Sequence, residues 1–295
     1  MIVLYVQARM ASNRLQNKVA FSLGGKPAFV ICVERALQYI NPDRIVLATT
    51  VQANDDPLVF LAQHEGYEIY RGSSCHSLRQ SEFVKTLKED DIFVEVSCDG
   101  VLGIWQHALG AIELLKKGWE RCWHYGSLGT FRYALSETFL YKRKHHLAMI
   151  AKRNQTAISD KPDEHVWMES PRDGAIIVQL YDPLYQKLWP YDCLIMDTPS
   201  QALILREIYR DLYEGRPLDH HDVWDYLQDR PLLLSQLQAN VPVGNQPMHP
   251  WGQKGMYEQI RRTVDYIEIL VDNGGNYEVI GGTNGKNTKK ERKET

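Results

Sequence analysis

Long apolar runs are missing from this sequence. None approaches the ~18–20 residues that a membrane-spanning helix requires, so no membrane partner is expected. A surplus of basic charge is missing too. The 34 lysines and arginines stand against 37 aspartates and glutamates, a formal net charge of −3. Charge therefore does not imply nucleic acid, and any basic site must be local. Paired cysteines are absent as well. Cys32, Cys75, Cys98, Cys122 and Cys193 form no CxxC pair and fit neither a disulfide frame nor a zinc site. Reduced, mostly buried thiols in a cytoplasmic protein are the expectation. The opening residues lack the charged leader and cleavage pattern of a signal peptide. There are no internal repeats. What remains is an ordinary globular composition, 44% hydrophobic and 24% charged over 295 residues. That is enough for a sizeable core in one large domain or two small ones.

The apolar pattern alternates between two periods. Ile2–Val6, Arg44–Thr50, Tyr67–Arg71 and Asp91–Ser97 read as short buried strands, rich in β-branched residues. Between them, Phe29–Ile40, Leu58–Gly66 and a stretch from Arg71 to Leu87 carry helical spacing. Asn54-Asp55-Asp56-Pro57 is a helix-start signal. Trp105–Lys117 reads as a further helix and Trp119–Tyr125 as a strand. Strands alternating with helices of this length mean right-handed βαβ units and a mainly parallel open sheet. From Gly126 to Pro190 no clear pattern emerges. Tyr141–His146 is a row of basic and titratable residues, read as a solvated helix face. Asp163-Glu164-His165 reads as surface. Cys193–Met196 is a short strand. Asp197-Thr198-Pro199 then starts a helix, with Thr198 at the N-cap and Pro199 in its first turn. Leu218–Leu227 begins another helix. Tyr257–Leu270 fits an amphipathic helix, and the polar end of the chain reads as disordered.

The chemistry concentrates in the first loop. Directly after the first strand come Arg9, Arg14 and Lys18, with small residues Ala8, Ala11 and Ser12 between them, and Gly24-Gly25-Lys26-Pro27 closes the stretch. The C-terminal edge of an open α/β sheet is where such folds bind ligands. Cations and free backbone N–H groups there suit a polyphosphate, while a solvated basic loop is the plain alternative. Asp99 follows the strand Ile92–Val96, and Asp197 follows a later one. A carboxylate at a strand's C-terminal end can hold Mg²⁺, or can simply belong to a turn or a helix start.

Taken together these motifs resemble the cytidylyltransferases that make CMP-activated sugars, above all the branch similar to spore-coat polysaccharide cytidylyltransferases. The resemblance rests on Gln7-Ala8-Arg9-Met10-Ala11-Ser12-Asn13-Arg14-Leu15, Lys18, Gly24-Gly25-Lys26-Pro27, Asn54–Leu58, Arg71-Gly72-Ser73 and Asp99. It returns at Glu164-His165-Val166, Met196–Pro199 and Leu218–Leu227. It implies a Rossmann-like nucleotide-diphospho-sugar transferase fold with helices on both faces. It also implies CTP and a sugar or sugar-acid acceptor as substrates, Mg²⁺ as cofactor, and a homodimer. In that likeness Ala8, Arg9, Ser12, Arg14, Lys18, Arg71 and Ser73 bind the nucleotide. Arg14 and Lys18 carry the catalytic charge, and Asp99 and Asp197 ligate the metal. The domain so defined spans 1–235, with 126–190 as a candidate dimer contact and 236–295 as an extension, of which 281–295 reads as disordered.

The chain departs from the family pattern at several positions. Gln16-Asn17 stand for Pro-Gly, which predicts loss of a rigid bend. Glu95 stands for an arginine, a charge reversal near the expected triphosphate. Cys98 stands for a glycine, and Arg79-Gln80 for Asp-Arg. Two other readings stay open on these grounds: a homologue that binds a nucleotide without turnover or partners an active enzyme, and a glycosyltransferase on the same fold.

Overall fold

The computed structural model describes residues 1–12, 14–124, 140–143, 175–180, 184, 196–239 and 265–283. The first strand, β1 (Ile2–Gln7), leads into the basic loop, and the two-stranded β2 (Ser22–Leu23) and β3 (Lys26–Pro27) close it. Next come α1 (Ala28–Leu37), β4 (Arg44–Thr50), α2 (Asp56–His64), β5 (Glu68–Gly72), α3 (His76–Val84) and β6 (Ile92–Ser97). The second half contributes α4 (His107–Lys116), β7 (Arg121–His124), β8 (Leu140–Lys142) and β9 (Ala175–Leu180). It continues with α5 (Pro199–Leu212), α6 (His220–Gln228), α7 (Pro231–Ala239), β10 (Tyr266–Val271) and β11 (Tyr277–Gly282).

Among the described residues, all the strands except the β2–β3 pair join one sheet, in the order β11-β10-β9-β7-β8-β6-β1-β4-β5. The order doubles back at β1: β4 and β5 lie on one side of it, β6 on the other. All four run parallel. β8 is antiparallel to both neighbours and β11 to β10, while β7, β9 and β10 are parallel. The architecture is the mainly parallel α/β sheet that the alternating periods predict, and the Rossmann-like fold that the family resemblance implies.

Strand alternation sorts the core onto two faces. Leu4, Val6, Val94 and Val96 join a cluster with α1, α2, α4, α5 and α6. Val3, Tyr5, Val46, Ala48 and Phe93 point the other way, onto Phe83 and Val84 of α3. Tyr5 meets Phe83 and Phe93 at 5.1 and 4.9 Å between ring centroids. Helix α1 buries Phe29, Val30, Ile31, Val33 and Ala36, each fully burying side chain being worth roughly 1.5–3 kcal/mol for the larger residues.

Four readings need correction. Tyr266–Val271 is strand β10, parallel to β9, not the end of a helix beginning at Tyr257; residues 257–264 lie outside the described residues. Ile267, Ile269 and Val271 are buried on alternate positions, and Asp272-Asn273-Gly274-Gly275 turns the chain into antiparallel β11. Tyr141 and Lys142 belong to β8 rather than to a helix face. Arg143 donates to the Val84 and Lys85 carbonyls at 3.1 and 3.3 Å, closing the end of α3. Helix α3 starts at His76, later than Arg71, because Arg71 and Gly72 still pair with β4. Of the stretch 281–295 read as disordered, Gly281 and Gly282 end β11 against β10 and the Thr283 N–H donates to the Tyr266 carbonyl, while 284–295, like Asp163–His165 and Cys193, lie outside the described residues.

Candidate active site

The basic loop is built to hold its cations at the sheet edge. Its near end continues β1: the Ala8 N–H donates to the Ala48 carbonyl at 3.2 Å, and the Ala8 methyl is buried. Asp55, almost fully buried at 1% exposure, anchors Met10 two residues on. One of its oxygens accepts the Met10 N–H at 2.7 Å. The other accepts the Thr49 hydroxyl at 2.9 Å, the Thr50 N–H at 3.1 Å and the Thr50 hydroxyl. Burial alone would raise the Asp55 pKa. The hydrogen bonds from Thr50, Met10 and Thr49 reverse that and hold it below the ordinary carboxylate value.

The far end closes on the near end: the Asn17 N–H donates to the Met10 carbonyl at 2.9 Å. Asn17 has φ of 57°, in the left-handed region. This is the position where the family pattern has glycine. Asparagine is the side-chain-bearing residue that best tolerates such backbone, so the bend survives the replacement of Pro-Gly. The loss of a bend expected from Gln16-Asn17 is therefore not seen.

From that bend Lys18 reaches two aspartates at once. Its Nζ lies 2.7 Å from Asp99 Oδ2 and 2.8 Å from Asp197 Oδ1. Arg14 pairs with the second oxygen of Asp197 at 2.8 Å, from a largely exposed position. Residues 81 and 179 positions from Lys18 in the chain meet at one ammonium. The backbone makes this possible: the Met196 N–H donates to the Asp99 carbonyl at 2.9 Å. A capping box then sets Asp197. The Gln201 side chain accepts from the Asp197 and Thr198 N–H groups, and the Thr198 hydroxyl accepts from the Gln201 N–H. On the other side, the Ser97 hydroxyl donates to Asp99 Oδ1.

The electrostatics follow. Burial opposes the charge on Lys18, but the charges and hydrogen bonds of Asp99 and Asp197 outweigh it and raise its pKa. Burial likewise works against ionised Asp99, and the Lys18 charge, with hydrogen bonds from Lys18 and Ser97, lowers its pKa overall. Cys98, beside Asp99, is buried and its thiol is pushed well up, so it is packing rather than a nucleophile.

The remaining sequence-expected residues fall less centrally. Arg9 donates to the Ser74 carbonyl at 3.0 Å, joining the loop to the start of α3. The Ser12 hydroxyl accepts the Leu15 N–H at 3.4 Å. The Ser73 hydroxyl accepts the Cys75 N–H at 3.1 Å. Arg71 spends its guanidinium on the turn after β4, through the Thr50 and Gln52 carbonyls and Asp56. Glu95 does not reverse a charge over the loop. It is buried under α3, where Gln80 donates to it at 2.5 Å and His76 lies 3.0 Å away.

Asp55, Ser97 and Gln201 were not singled out by sequence. The one signal was the buried-strand ending Thr49-Thr50 followed by Asn54-Asp55-Asp56, which reads equally as a helix start. Among the described residues no three His, Cys, Asp or Glu gather at metal-binding spacing. Two carboxylates are nevertheless what Mg²⁺ takes from a protein when phosphates and water complete its shell. An ammonium already seated between both carboxylates shows that the pair accommodates a cation. Asp99 and Asp197 thus form a carboxylate pair that could hold a hard divalent ion, with Lys18 and Arg14 beside it as donors that a polyphosphate could take over.

Comparison with known proteins agrees with the sequence resemblance. Residues 3–117 match the family model described as Cytidylyltransferase. The spore coat polysaccharide biosynthesis protein SpsF of Bacillus subtilis is 34% identical over 91 residues, 30% of this chain and 37% of that one. The 3-deoxy-manno-octulosonate cytidylyltransferase of Chlorobium phaeobacteroides is 32% identical over 100 residues, 33% and 38% of the two chains. An uncharacterised protein of Methanocaldococcus jannaschii is 31% identical over 116 residues, 39% and 45%. The chain thus spans less than half the length of these curated relatives. A solved cytidylyltransferase from Leptospira borgpetersenii shares the fold, with a TM-score of 0.63 and 18% identity over 79% of this chain and 96% of that one.

Proposed function

We propose that this chain is a nucleotidyltransferase that transfers CMP from CTP to a hydroxyl of a sugar or sugar acid, releasing pyrophosphate. The likeness to SpsF supports surface polysaccharide synthesis as its setting. A cytoplasmic location and a homodimer belong to the same proposal. The observation that carries it is the meeting of Lys18 with Asp99 and Asp197 at the C-terminal edge of β1 and β6.

In the proposed reaction the acceptor oxygen forms a bond to the α-phosphorus. The bridging bond to the β-phosphate breaks, and its electron pair leaves on pyrophosphate. The hydroxyl proton passes to solvent. Such a transfer asks mainly for positioning and charge neutralisation. Arg9, Ser12, Arg14 and Lys18 supply donors and positive charge to the phosphates, while Asp55 keeps their loop in place. Asp99 and Asp197 would hold Mg²⁺, which when bound neutralises phosphate charge as a Lewis acid.

The test is pyrophosphate release with CTP and Mg²⁺ across a panel of sugars and sugar acids. Asp99→Ala should lower the rate by at least ~10²-fold, the scale of losing one preorganised electrostatic group. No consumption of any nucleoside triphosphate with any acceptor would remove the proposal. Thermal stabilisation by CTP–Mg²⁺ without turnover would leave a nucleotide-binding homologue in its place.

A further inference from the structure

We propose that Lys18 is the exchangeable counter-ion of the divalent-cation site. It holds the Asp99–Asp197 pair in the free protein and moves to the triphosphate when cation and nucleotide arrive. The inference rests on the cytidylyltransferase reading and concerns how its ligands are coupled.

The geometry leads there directly. The Lys18 ammonium is bonded to one oxygen of each aspartate, at 2.7 and 2.8 Å. Lys18, Asp99 and Asp197 are only 15%, 22% and 16% exposed, so the space between the carboxylates is already taken by a cation. Charge makes the same point. Two carboxylates face Lys18 and Arg14, and the four charges cancel. A divalent ion entering alone would meet two resident cations with no new anion to receive them. A triphosphate supplies that anion. The lysine stem is long, flexible and three-donor, so its head can shift without moving the backbone that carries it. Cation and triphosphate therefore help each other to bind, and by linkage the help is equal in both directions.

Binding of Mn²⁺, followed by electron paramagnetic resonance of the free ion and corrected with protein-free titrations for the Mn²⁺ that CTP or CMP itself chelates, tests this on the full chain without acceptor. The wild type should bind Mn²⁺ alone weakly, and saturating CTP should tighten it by about tenfold or more, a usual size for coupled sites. CMP, with a single phosphate, should give much less gain. Lys18→Met should bind Mn²⁺ alone about tenfold tighter than wild type, and the gain from CTP should shrink. Equal or weaker Mn²⁺ binding by a folded K18M protein overturns the exchange. So does wild-type binding of Mn²⁺ that is as tight without CTP as with it, which decides the matter even if K18M does not fold. If the wild type binds neither CTP nor Mn²⁺ in either order, the cytidylyltransferase reading itself falls. If CTP and Mn²⁺ bind but without coupling, that reading stands and only the exchange is lost.

Discussion

Replacing Asp55 by asparagine removes a charge that touches neither Lys18 nor the two aspartates it meets, and its effect can be worked out atom by atom. The carboxylate accepts from two backbone N–H groups, Met10 and Thr50, on opposite oxygens, and from two hydroxyls. An asparagine has one oxygen. If it faces Thr50, its NH₂ confronts the Met10 N–H; if it faces Met10, its NH₂ confronts the Thr50 N–H. The hydroxyls can rotate to accept, but the N–H groups cannot. Either way one donor at a largely buried site loses its partner, a cost of about 1–3 kcal/mol. For a chain of this size each kcal/mol lowers the melting temperature by about 2–4 °C. Because Met10 leads the loop that ends in Lys18, CTP–Mg²⁺ affinity should weaken as well. The pH dependence carries its own sign. The folded pKa of Asp55 is depressed, so its contribution is present above the ordinary value of 3.8 and is lost as pH falls through the folded value. Asp55→Asn should flatten the loss of stability on acidification in that window. Thermal melts from neutral pH to below pH 4 and calorimetric CTP titration measure both effects. A variant as stable as wild type, with unchanged nucleotide affinity, would refute the role given to this anchor.

Two further changes test neighbouring parts of the structure. Asn17→Val forces a β-branched residue into left-handed backbone and should cost at least about 1–2 kcal/mol, whereas Asn17→Gly should be neutral or slightly stabilising; denaturant midpoints separate them. Glu95→Arg restores the residue of the family pattern but places a cation beside His76 and Gln80 under α3. With no anion to meet it, the change should cost about 3–5 kcal/mol and give little soluble protein, while an active, stable E95R would show that Glu95 is not tied to that helix.

The local elements were readable because each depends on a few neighbouring residues. Short β-branched apolar runs mark β1, β4, β5 and β6, and the Thr198-Pro199 pair marks the start of α5. Proline and glycine placed the turns. The basic loop was visible as charge, and its position after a strand suggested phosphate. Where the local code is ambiguous, the reading failed. Tyr266–Val271 is too short to separate a strand from a helix by period, although the Asp-Asn-Gly-Gly that follows it is a hairpin signal. The side that Glu95 takes is not legible in the sequence, because one strand sends successive side chains to opposite faces and only packing says which face meets α3.

Convergence belongs to the tertiary structure. Nothing near Lys18 in the sequence specifies that β6 pairs beside β1, or that Met196 hydrogen-bonds to Asp99 and so delivers Asp197. Strand order and those long-range contacts decide it, and they are set by burial of the whole sheet rather than by any segment. The sequence alone determined which charges the chain carries and the edge at which each emerges. The fold alone decided that one lysine, from a bend kept by a left-handed asparagine, would stand between two aspartates far away in the chain.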